Sequence, residues 1–294
     1  MAFSPNAIRK TVDIAKRNCV LYLGSGISAA SQNDDGKSPS TWHQFLSDIL
    51  DIRQDKLKEC KEIIKQLLEK ENFLTACEII VRHLGERDFG ELAADEFRRP
   101  GYHPNKLHEI IFSLDSRLVI TPNIDKIYDQ YATAQSSGTV IIKTYRDDIA
   151  RYLRSPDYLI IKAHGTIDDT DHIVFTHSQY SRVRNDNAAF YRILDALLLT
   201  HTFIFLGCGL SDPDIQLVLE NLNFSFPGCR PHYMVISSNN LSNDELNCIA
   251  NNRNIEFLQY ENPDKTHSQL LDSLQELDCF VAEKRQEIAG RISW

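Results

Sequence analysis

Short apolar runs recur along this chain, and most of them stop at a glycine or a polar turn. Seven such runs, rich in β-branched residues, cover 19–24, 117–121, 139–143, 158–164, 202–207, 232–237 and 255–260. Apolar runs of this length bounded by turns indicate buried strands. Helical patterns follow most of them, and this alternation is typical of a parallel sheet covered on both faces. The sequence therefore predicts an α/β fold, a Rossmann-like and mostly parallel sheet with helices on both faces.

The stretch between the first two runs has no strand pattern. Its apolar residues recur at helical spacing, among them Leu57, Cys60, Ile64, Leu67 and Leu68. Either Ser40 or Thr41 is suited to cap its first helix. We expect one domain over 1–294, with a sheet core formed by 1–40 and 114–294 and an inserted helical lobe at 41–113. The pattern predicts a last helix near 264–288, with Leu270, Leu274, Leu277 and Val281 on one face.

Composition narrows the class of protein. The 294 residues carry a formal charge of −9, from 32 basic and 41 acidic side chains. This balance disfavours a broad nucleic-acid or anionic-membrane surface, so we expect no direct nucleic-acid binding. No run approaches the roughly 18–20 apolar residues of a membrane span, and the N-terminus lacks a signal-peptide pattern. The seven scattered cysteines suggest neither a disulfide framework nor a zinc ribbon, so we expect reduced thiols, no metal and a cytoplasmic protein.

The first run ends in a glycine-rich turn within VLYLGSGISAAS (20–31). Gly24, Gly26 and Ala29 give the spacing Gly-x-Gly-x-x-Ala, which is a variant of the dinucleotide-binding fingerprint. The same residues would also serve a plain tight turn, and the stretch alone leaves both interpretations open. A dehydrogenase further needs a second strand ending in Asp or Glu about twenty residues on. A polar loop (31–40) and then the helical pattern follow instead, which argues against an ordinary Rossmann oxidoreductase.

Three later runs also end in compact polar or glycine-rich groups. These are Pro122-Asn123-Ile124-Asp125, His164-Gly165 and Gly207-Cys208-Gly209-Leu210-Ser211-Asp212. Each group has a structural interpretation of its own, as a turn, a helix cap or a buried histidine. Ligands bind outside the carboxyl ends of parallel strands, however, so we expect the four strand ends to form one site.

In this order, the four motifs resemble those of the sirtuin (Sir2-like) family of NAD-consuming enzymes. Gly24-Ser25-Gly26-Ile27-Ser28 is similar to the family's GAGxS loop, and Thr121-Pro122-Asn123-Ile124-Asp125 to its TQNID motif with Pro in place of Gln. His164-Gly165 resembles its catalytic HG, and Gly207-Cys208-Gly209-Leu210-Ser211 its later glycine-serine turn. The four-cysteine zinc module of the deacylases cannot be built here. The chain thus looks like the divergent, zinc-less Sir2-like branch of bacterial anti-phage systems, whose members hydrolyse NAD.

The resemblance implies a substrate and a set of site residues. The substrate would be NAD+, cleaved to ADP-ribose and nicotinamide without zinc. Asn123 would hold the ribose or a water, His164 would act on the ribose hydroxyls or water, and Asp125 with Ser28 would hold the nicotinamide carboxamide. The implied catalytic residues are Asn123, His164 and Asp125. The implied NAD-binding residues are Gly24, Ser25, Gly26, Ser28, Thr121, Gly207, Gly209, Ser211 and Asp212.

Two other functions use the same motifs. A non-catalytic module could bind NAD or ADP-ribose and signal by its shape, and an NAD-dependent protein deacylase would need a peptide groove besides. For the hydrolase, the resemblance implies the toxic effector of abortive infection, activated by a separate partner. That partner would be a HerA-like ATPase or, as a second choice, a short Argonaute-type protein. Homo-oligomers are also implied, with the lobe 41–113 and the end of the last helix, including Trp294, as candidate contact surfaces.

Overall fold

The computed structural model describes residues 13–209, 213–238, 242–263 and 266–291. Its centre is a seven-stranded sheet in the order β3-β4-β2-β1-β5-β6-β7, and every neighbouring pair is parallel. The strands are β1 (Cys19–Leu23), β2 (Leu118–Thr121), β3 (Ile141–Thr144), β4 (Leu159–Lys162), β5 (Thr202–Leu206), β6 (His232–Ser237) and β7 (Ile255–Tyr260). Six of these strands lie within predicted runs, and β3 ends one residue beyond its run, at Thr144. The α/β fold class is confirmed.

Helices connect the strands. They are α1 (Ser25–Ala29), α2 (Trp42–Ile52), α3 (Gln54–Leu57), α4 (Lys61–Glu69), α5 (Phe73–Leu84), α6 (Glu86–Phe97), α7 (Lys106–Ser113), α8 (Ile127–Gln135), α9 (His177–Asp186), α10 (Ala188–Thr200), α11 (Pro213–Ser225), α12 (Asn243–Arg253) and α13 (Ser268–Arg291). Of the two candidate caps for α2, Thr41 caps it, because its side chain accepts a hydrogen bond from the Gln44 N–H at 3.3 Å. The four apolar residues predicted for the last helix are buried in α13.

The sheet separates two apolar cores. Because side chains alternate along a strand, Val20 and Tyr22 of β1 point into one core and Leu21 and Leu23 into the other. All five residues of β1 are buried, since this strand lies in the middle of the sheet with β2 on one side and β5 on the other. Helices on both faces provide this burial, as the unbroken apolar runs predicted.

A third apolar core belongs to the helices between β1 and β2. Helices α2 to α6 pack around it, with Leu46, Ile64, Ile80 and Phe89 at its centre. Helix α7, by contrast, packs its Ile111 into the sheet core that α13 also covers. The division of the chain at 41 and 113 stays a prediction.

The topology brings four loops to one edge of the sheet. The chain passes from β1 to β2 on one side and reaches β5 on the other side only after β3 and β4. The ends of β1, β2, β4 and β5 are therefore neighbours, and all four point the same way because the strands are parallel. The four motifs follow these four strands, so the fold collects them at the edge where α/β proteins bind ligands.

Candidate active site

A cavity of about 350 Å³ opens at this edge, between the sheet and the helices α2 to α6. Much of its polar lining comes from the motif loops: Gly24, Ser25, Ser28, Asn123, Asp125, His164 and Gly209. Ser40, Thr41 and His43, around the start of α2, add further polar groups. Its apolar lining is rich in aromatic side chains: Trp42, Phe45, Phe73, Phe97, Phe175 and Tyr180. A volume of this size and a few convergent polar groups on apolar walls are typical of small-molecule sites.

Three side chains at the floor of the cavity form one chain of hydrogen bonds. The Asn123 side-chain nitrogen Nδ2 donates to the Ser28 hydroxyl at 3.0 Å and to the Gly24 carbonyl at 2.9 Å. The Ser28 hydroxyl in turn donates to Asp125 Oδ2 at 2.6 Å. With both amide hydrogens of Asn123 donated, its oxygen Oδ1 is the atom it can offer to a bound molecule.

Thr121 fixes the loop that carries Asn123. Its hydroxyl donates to the Leu23 carbonyl at 2.7 Å, which ties the ends of β2 and β1 together. The same oxygen accepts the Asn123 backbone N–H at 3.1 Å. Thr121 is buried and does not line the cavity, so it contributes by holding the loop.

His164 enters the cavity from the end of β4. Its ring lies edge-on to Tyr180, with 5.0 Å between ring centroids and 80° between planes. The Tyr180 hydroxyl oxygen is 3.4 Å from Nδ1 of the same ring. Both side chains are buried, so Tyr180 limits the orientations that the imidazole can adopt.

The two glycine turns contact each other. A Cβ at Gly24 would lie 2.4 Å from the Gly207 carbonyl oxygen, and one at Gly26 would lie 3.0 Å from it. The Gly24 and Gly26 N–H groups donate to the Leu206 and Gly207 carbonyls at 2.8 and 2.9 Å. This close approach already requires glycine, whatever binds above it. The NAD-binding role of these residues stays a prediction.

The predicted residues thus divide into three groups. The first group lines the cavity and consists of Gly24, Ser25, Ser28, Asn123, Asp125, His164 and Gly209. Thr121, Gly26 and Gly207 lie behind the lining, where they hold the loops together. Ser211 and Asp212 of the last motif, and Trp294, lie outside the described residues.

Sequence reasoning missed the aromatic half of the cavity. Trp42 packs edge-on against Phe175, with 5.1 Å between ring centroids, although 133 positions separate them in the chain (175 − 42). Both residues have the spacing of ordinary core residues, so the sequence carried no signal for them. Lys162 was also missed, and here a signal existed, since it is the one charged residue in the predicted strand YLIIKAH.

A buried ion pair lies beneath the motif loops. Lys162 Nζ is 3.1 Å from Asp129 Oδ2, and the two side chains are 1 % and 4 % exposed. Burial raises the pKa of Asp129, and the nearby Lys162 ammonium opposes that rise. The pair adds two compensating charges close to the site without reaching its surface.

Within the described ranges, no cluster of three or more His, Cys, Asp or Glu side chains could hold a metal ion. Over the same ranges, no helix is both long and apolar enough to span a membrane.

Part of the chain is similar to a known domain family. The SIR2-like domain family matches residues 117–258, which include the loops of Asn123, His164 and Gly209. The region 117–258 is therefore similar to a SIR2-like domain. The match begins at β2 and ends within β7, and the structure adds β1 and its glycine turn to the same sheet.

Curated relatives of this chain carry related names. "NAD(+) hydrolase ThsA" of Enterococcus faecium is 26% identical over 227 residues, which is 76% of this chain and 44% of that protein. The protein of the same name from Cytobacillus dafuensis is 23% identical over 70% of this chain and 38% of its own length. "Defense-associated sirtuin 2" of Bacillus subtilis is 24% identical over 72% of this chain and 20% of its own. The chain therefore spans less than half the length of these relatives.

Proposed function

We propose that this chain hydrolyses NAD+ to ADP-ribose and nicotinamide. The observation that carries the proposal is the joint presence of Ser28, Asn123, Asp125 and His164 around one cavity. The names of the ThsA relatives support the substrate. NAD+ would bind as the substrate, and none of the proposed steps uses a metal.

The reaction exchanges one bond for another at the ribose C1′. The C–N bond to nicotinamide breaks, and nicotinamide leaves as a neutral molecule with the bonding electron pair. A bond from a water oxygen to C1′ forms, and that water loses one proton. Because the leaving group needs no proton, the protein must mainly position the ribose, stabilise a developing cation and orient water.

The site residues are suited to these tasks. Asn123 Oδ1 would accept a hydrogen bond from a ribose hydroxyl or the attacking water, because its amide hydrogens are already donated. The Asp125 carboxylate would stabilise positive charge near C1′ or hold the nicotinamide amide. His164 would take the proton from the ribose hydroxyl or water, since a ring nitrogen of an imidazole can accept a proton.

The contact between Ser28 and Asp125 changes one expected role. The Ser28 hydroxyl hydrogen is donated to Asp125, so Ser28 would donate a hydrogen bond to nicotinamide only by giving up that bond. We propose instead that Ser28 links Asn123 to Asp125, and that Asp125 and Asn123 contact the substrate.

We further propose a defence role for the activity. One relative is named a defence-associated sirtuin, and loss of NAD+ would stop an infected cell. Such an effector must be restrained, so a separate activating partner is part of the proposal, a HerA-like ATPase before a short Argonaute-type protein. Assembly into homo-oligomers and a cytoplasmic location belong to the same proposal.

Release of nicotinamide from NAD+ by the purified chain tests the function. Wild type would be assayed alone and with the products of neighbouring genes, next to Asn123→Ala and His164→Ala. Exposed residues outside the cavity supply the controls Asn251→Ala and His83→Ala. We expect each site variant to lose activity by about 100-fold or more, as is usual for groups at the reacting centre.

Three outcomes would contradict the proposal. Activity surviving both site variants would remove the assigned mechanism. Tight NAD+ binding without turnover under every partner condition would favour a signalling module. Nicotinamide release that requires an acylated peptide would favour a deacylase.

A further inference from the structure

Lys162 occupies an unusual position for a charged residue. It is the last residue of β4, its side chain is 1 % exposed, and His164 follows two residues later. A buried ammonium must be paired or hydrogen-bonded, because leaving water is costly for a charge. Lys162 Nζ meets this need with two partners from one neighbouring segment: Asp129 Oδ2 on α8 at 3.1 Å and the Asp125 backbone carbonyl at 2.5 Å.

The second partner connects Lys162 to the candidate site. The Asp125 carbonyl points to Lys162, while its carboxylate accepts the Ser28 hydroxyl at 2.6 Å and the Ile127 N–H at 3.0 Å. Asp125 is therefore held from below by a side chain of the strand that carries His164. On either side, backbone bonds from Ala163 to Thr121 and from Ile167 to Ile124 join the same two chain segments, each at 2.8 Å.

Packing alone does not require this charge. An unbranched apolar side chain would fill the same space without burying an ammonium and a carboxylate, and such exchanges are often neutral or stabilising. The cost of the present arrangement is visible at Asp129, whose pKa burial raises in spite of the adjacent lysine. What an apolar side chain could not supply is the hydrogen bond to the Asp125 carbonyl.

We propose that Lys162 is a positioning residue, which with Asp129 fixes the Asp125 loop so that Asn123 and Asp125 face the substrate together with His164. This inference rests on the proposed NAD+ hydrolysis, and it assigns Lys162 no contact with the substrate. Lys162 and Asp129 would then have two roles. They support the fold, which a pair of apolar side chains at these two positions could also do, and they orient the Asp125 loop, which an apolar pair could not do.

The test uses a single and a double substitution in the full chain. Lys162→Met leaves the buried Asp129 without its cation, and we expect a clear fall in the melting temperature. Lys162→Met/Asp129→Leu removes both charges, and we expect the melting temperature to recover to near the wild-type value. We expect kcat for NAD+ to stay about 10- to 100-fold low in both variants, with KM changed less than about threefold. A double variant that recovers both stability and kcat would overturn the proposal.

A control and a second readout complete the design. Lys143→Met removes a lysine from the neighbouring strand β3 whose partner Asp147 is 4.0 Å away, and we expect unchanged kcat and stability. Hydrogen exchange of the 122–127 peptide measures the loop without any catalysis. We expect it to quicken about tenfold in the double variant, with 139–144 unchanged, since the anchored loop loses a restraint.

Hydrogen exchange distinguishes failure of the proposed NAD+ hydrolysis from failure of the proposed positioning role of Lys162. If wild type cleaves no NAD+ under any condition, the proposed function fails, and the exchange rate of 122–127 still decides whether Lys162 orders the loop. Unchanged exchange there in the double variant would overturn the positioning role, even if the enzyme were active.

Discussion

Ser28 donates its hydroxyl hydrogen to Asp125 across 2.6 Å, from the first helix after β1 to the loop after β2. The bond joins two motifs that lie 97 positions apart in the chain. Both side chains are buried, and the same serine oxygen accepts the Asn123 amide. Ser28 therefore sets the relative orientation of the two residues that we propose contact the substrate.

Ser28→Ala should lower both NAD+ cleavage and stability. The change leaves the buried Asp125 carboxylate with one donor fewer, which costs about 1–3 kcal/mol of the free energy of unfolding. We expect kcat/KM to fall about 10- to 100-fold, because Asn123 and Asp125 lose their common restraint. Nicotinamide release and urea unfolding measure the two effects. Ser47→Ala in α2 is the control, and equal kcat/KM in Ser28→Ala and wild type would refute the linking role.

Gly24→Ala should disrupt the fold at the meeting of the two glycine turns. The new Cβ would lie 2.4 Å from the Gly207 carbonyl oxygen. Because this oxygen belongs to the backbone, it cannot rotate away from the new Cβ as the end of a side chain could. We expect a loss of about 1–3 kcal/mol or more in the free energy of unfolding. Gly228→Ala adds its Cβ to open space, so it should change stability by less than about 0.5 kcal/mol. A thermally stable Gly24→Ala protein would show that the turns can separate.

The sequence predicts the strands and the motif loops well, for a physical reason. A strand that is buried on both faces has apolar side chains at every position. The unbroken apolar run from Val20 to Leu23 therefore predicts a central strand of a sheet that helices cover on both faces. Parallel pairing then forces Asn123 and His164 to the same edge, although neither residue reveals its neighbour. The order of the strands and the contact between Gly24 and Gly207 could not be predicted from the sequence. Both depend on which strands pair with each other in the sheet.

The aromatic side chains that line the cavity could not be predicted from the sequence for a different reason. Trp42, Phe73 and Phe175 have the spacing and composition of ordinary core residues, and only the packing of α2 and α5 on the loop before α9 leaves them beside a cavity. Lys162 is the opposite case. A charge inside an apolar strand is a visible conflict, and such conflicts often mark functional positions.

Trp42→Ala should weaken substrate binding. Trp42 is half-buried, lines the cavity and packs against Phe73 and Phe175, so the change removes wall area and two aromatic contacts. We expect KM for NAD+ to rise about tenfold, which corresponds to roughly 1.4 kcal/mol, with a smaller change in kcat. Trp42→Phe keeps an aromatic wall and should behave nearly as wild type. Steady-state kinetics of the three proteins tests this, and an unchanged KM in Trp42→Ala would place the substrate elsewhere.

His232 should make the protein less stable as the pH falls. It is buried at the start of β6, and its Nδ1 accepts the Phe203 N–H at 3.2 Å, so the ring is neutral there. Burial lowers the pKa of His232 from 6.5 to about 4. Between these values the unfolded chain binds a proton that the folded chain does not. The stability due to the neutral ring is thus fully present above pH 6.5 and is lost as the pH falls to about 4.

His232→Asn isolates this contribution, since Asn offers an oxygen to the Phe203 N–H and does not titrate. We expect the free energy of unfolding of wild type to drop more steeply between pH 6.5 and 4, by on the order of 3 kcal/mol, than that of the variant. Urea unfolding at several pH values measures the difference. Carboxyl groups and the buried His108, whose pKa is also lowered to about 4, titrate alike in both proteins and cancel. His83→Asn, at an exposed position, should keep the wild-type slope, and parallel slopes for His232→Asn and wild type would mean that His232 accepts its proton without cost.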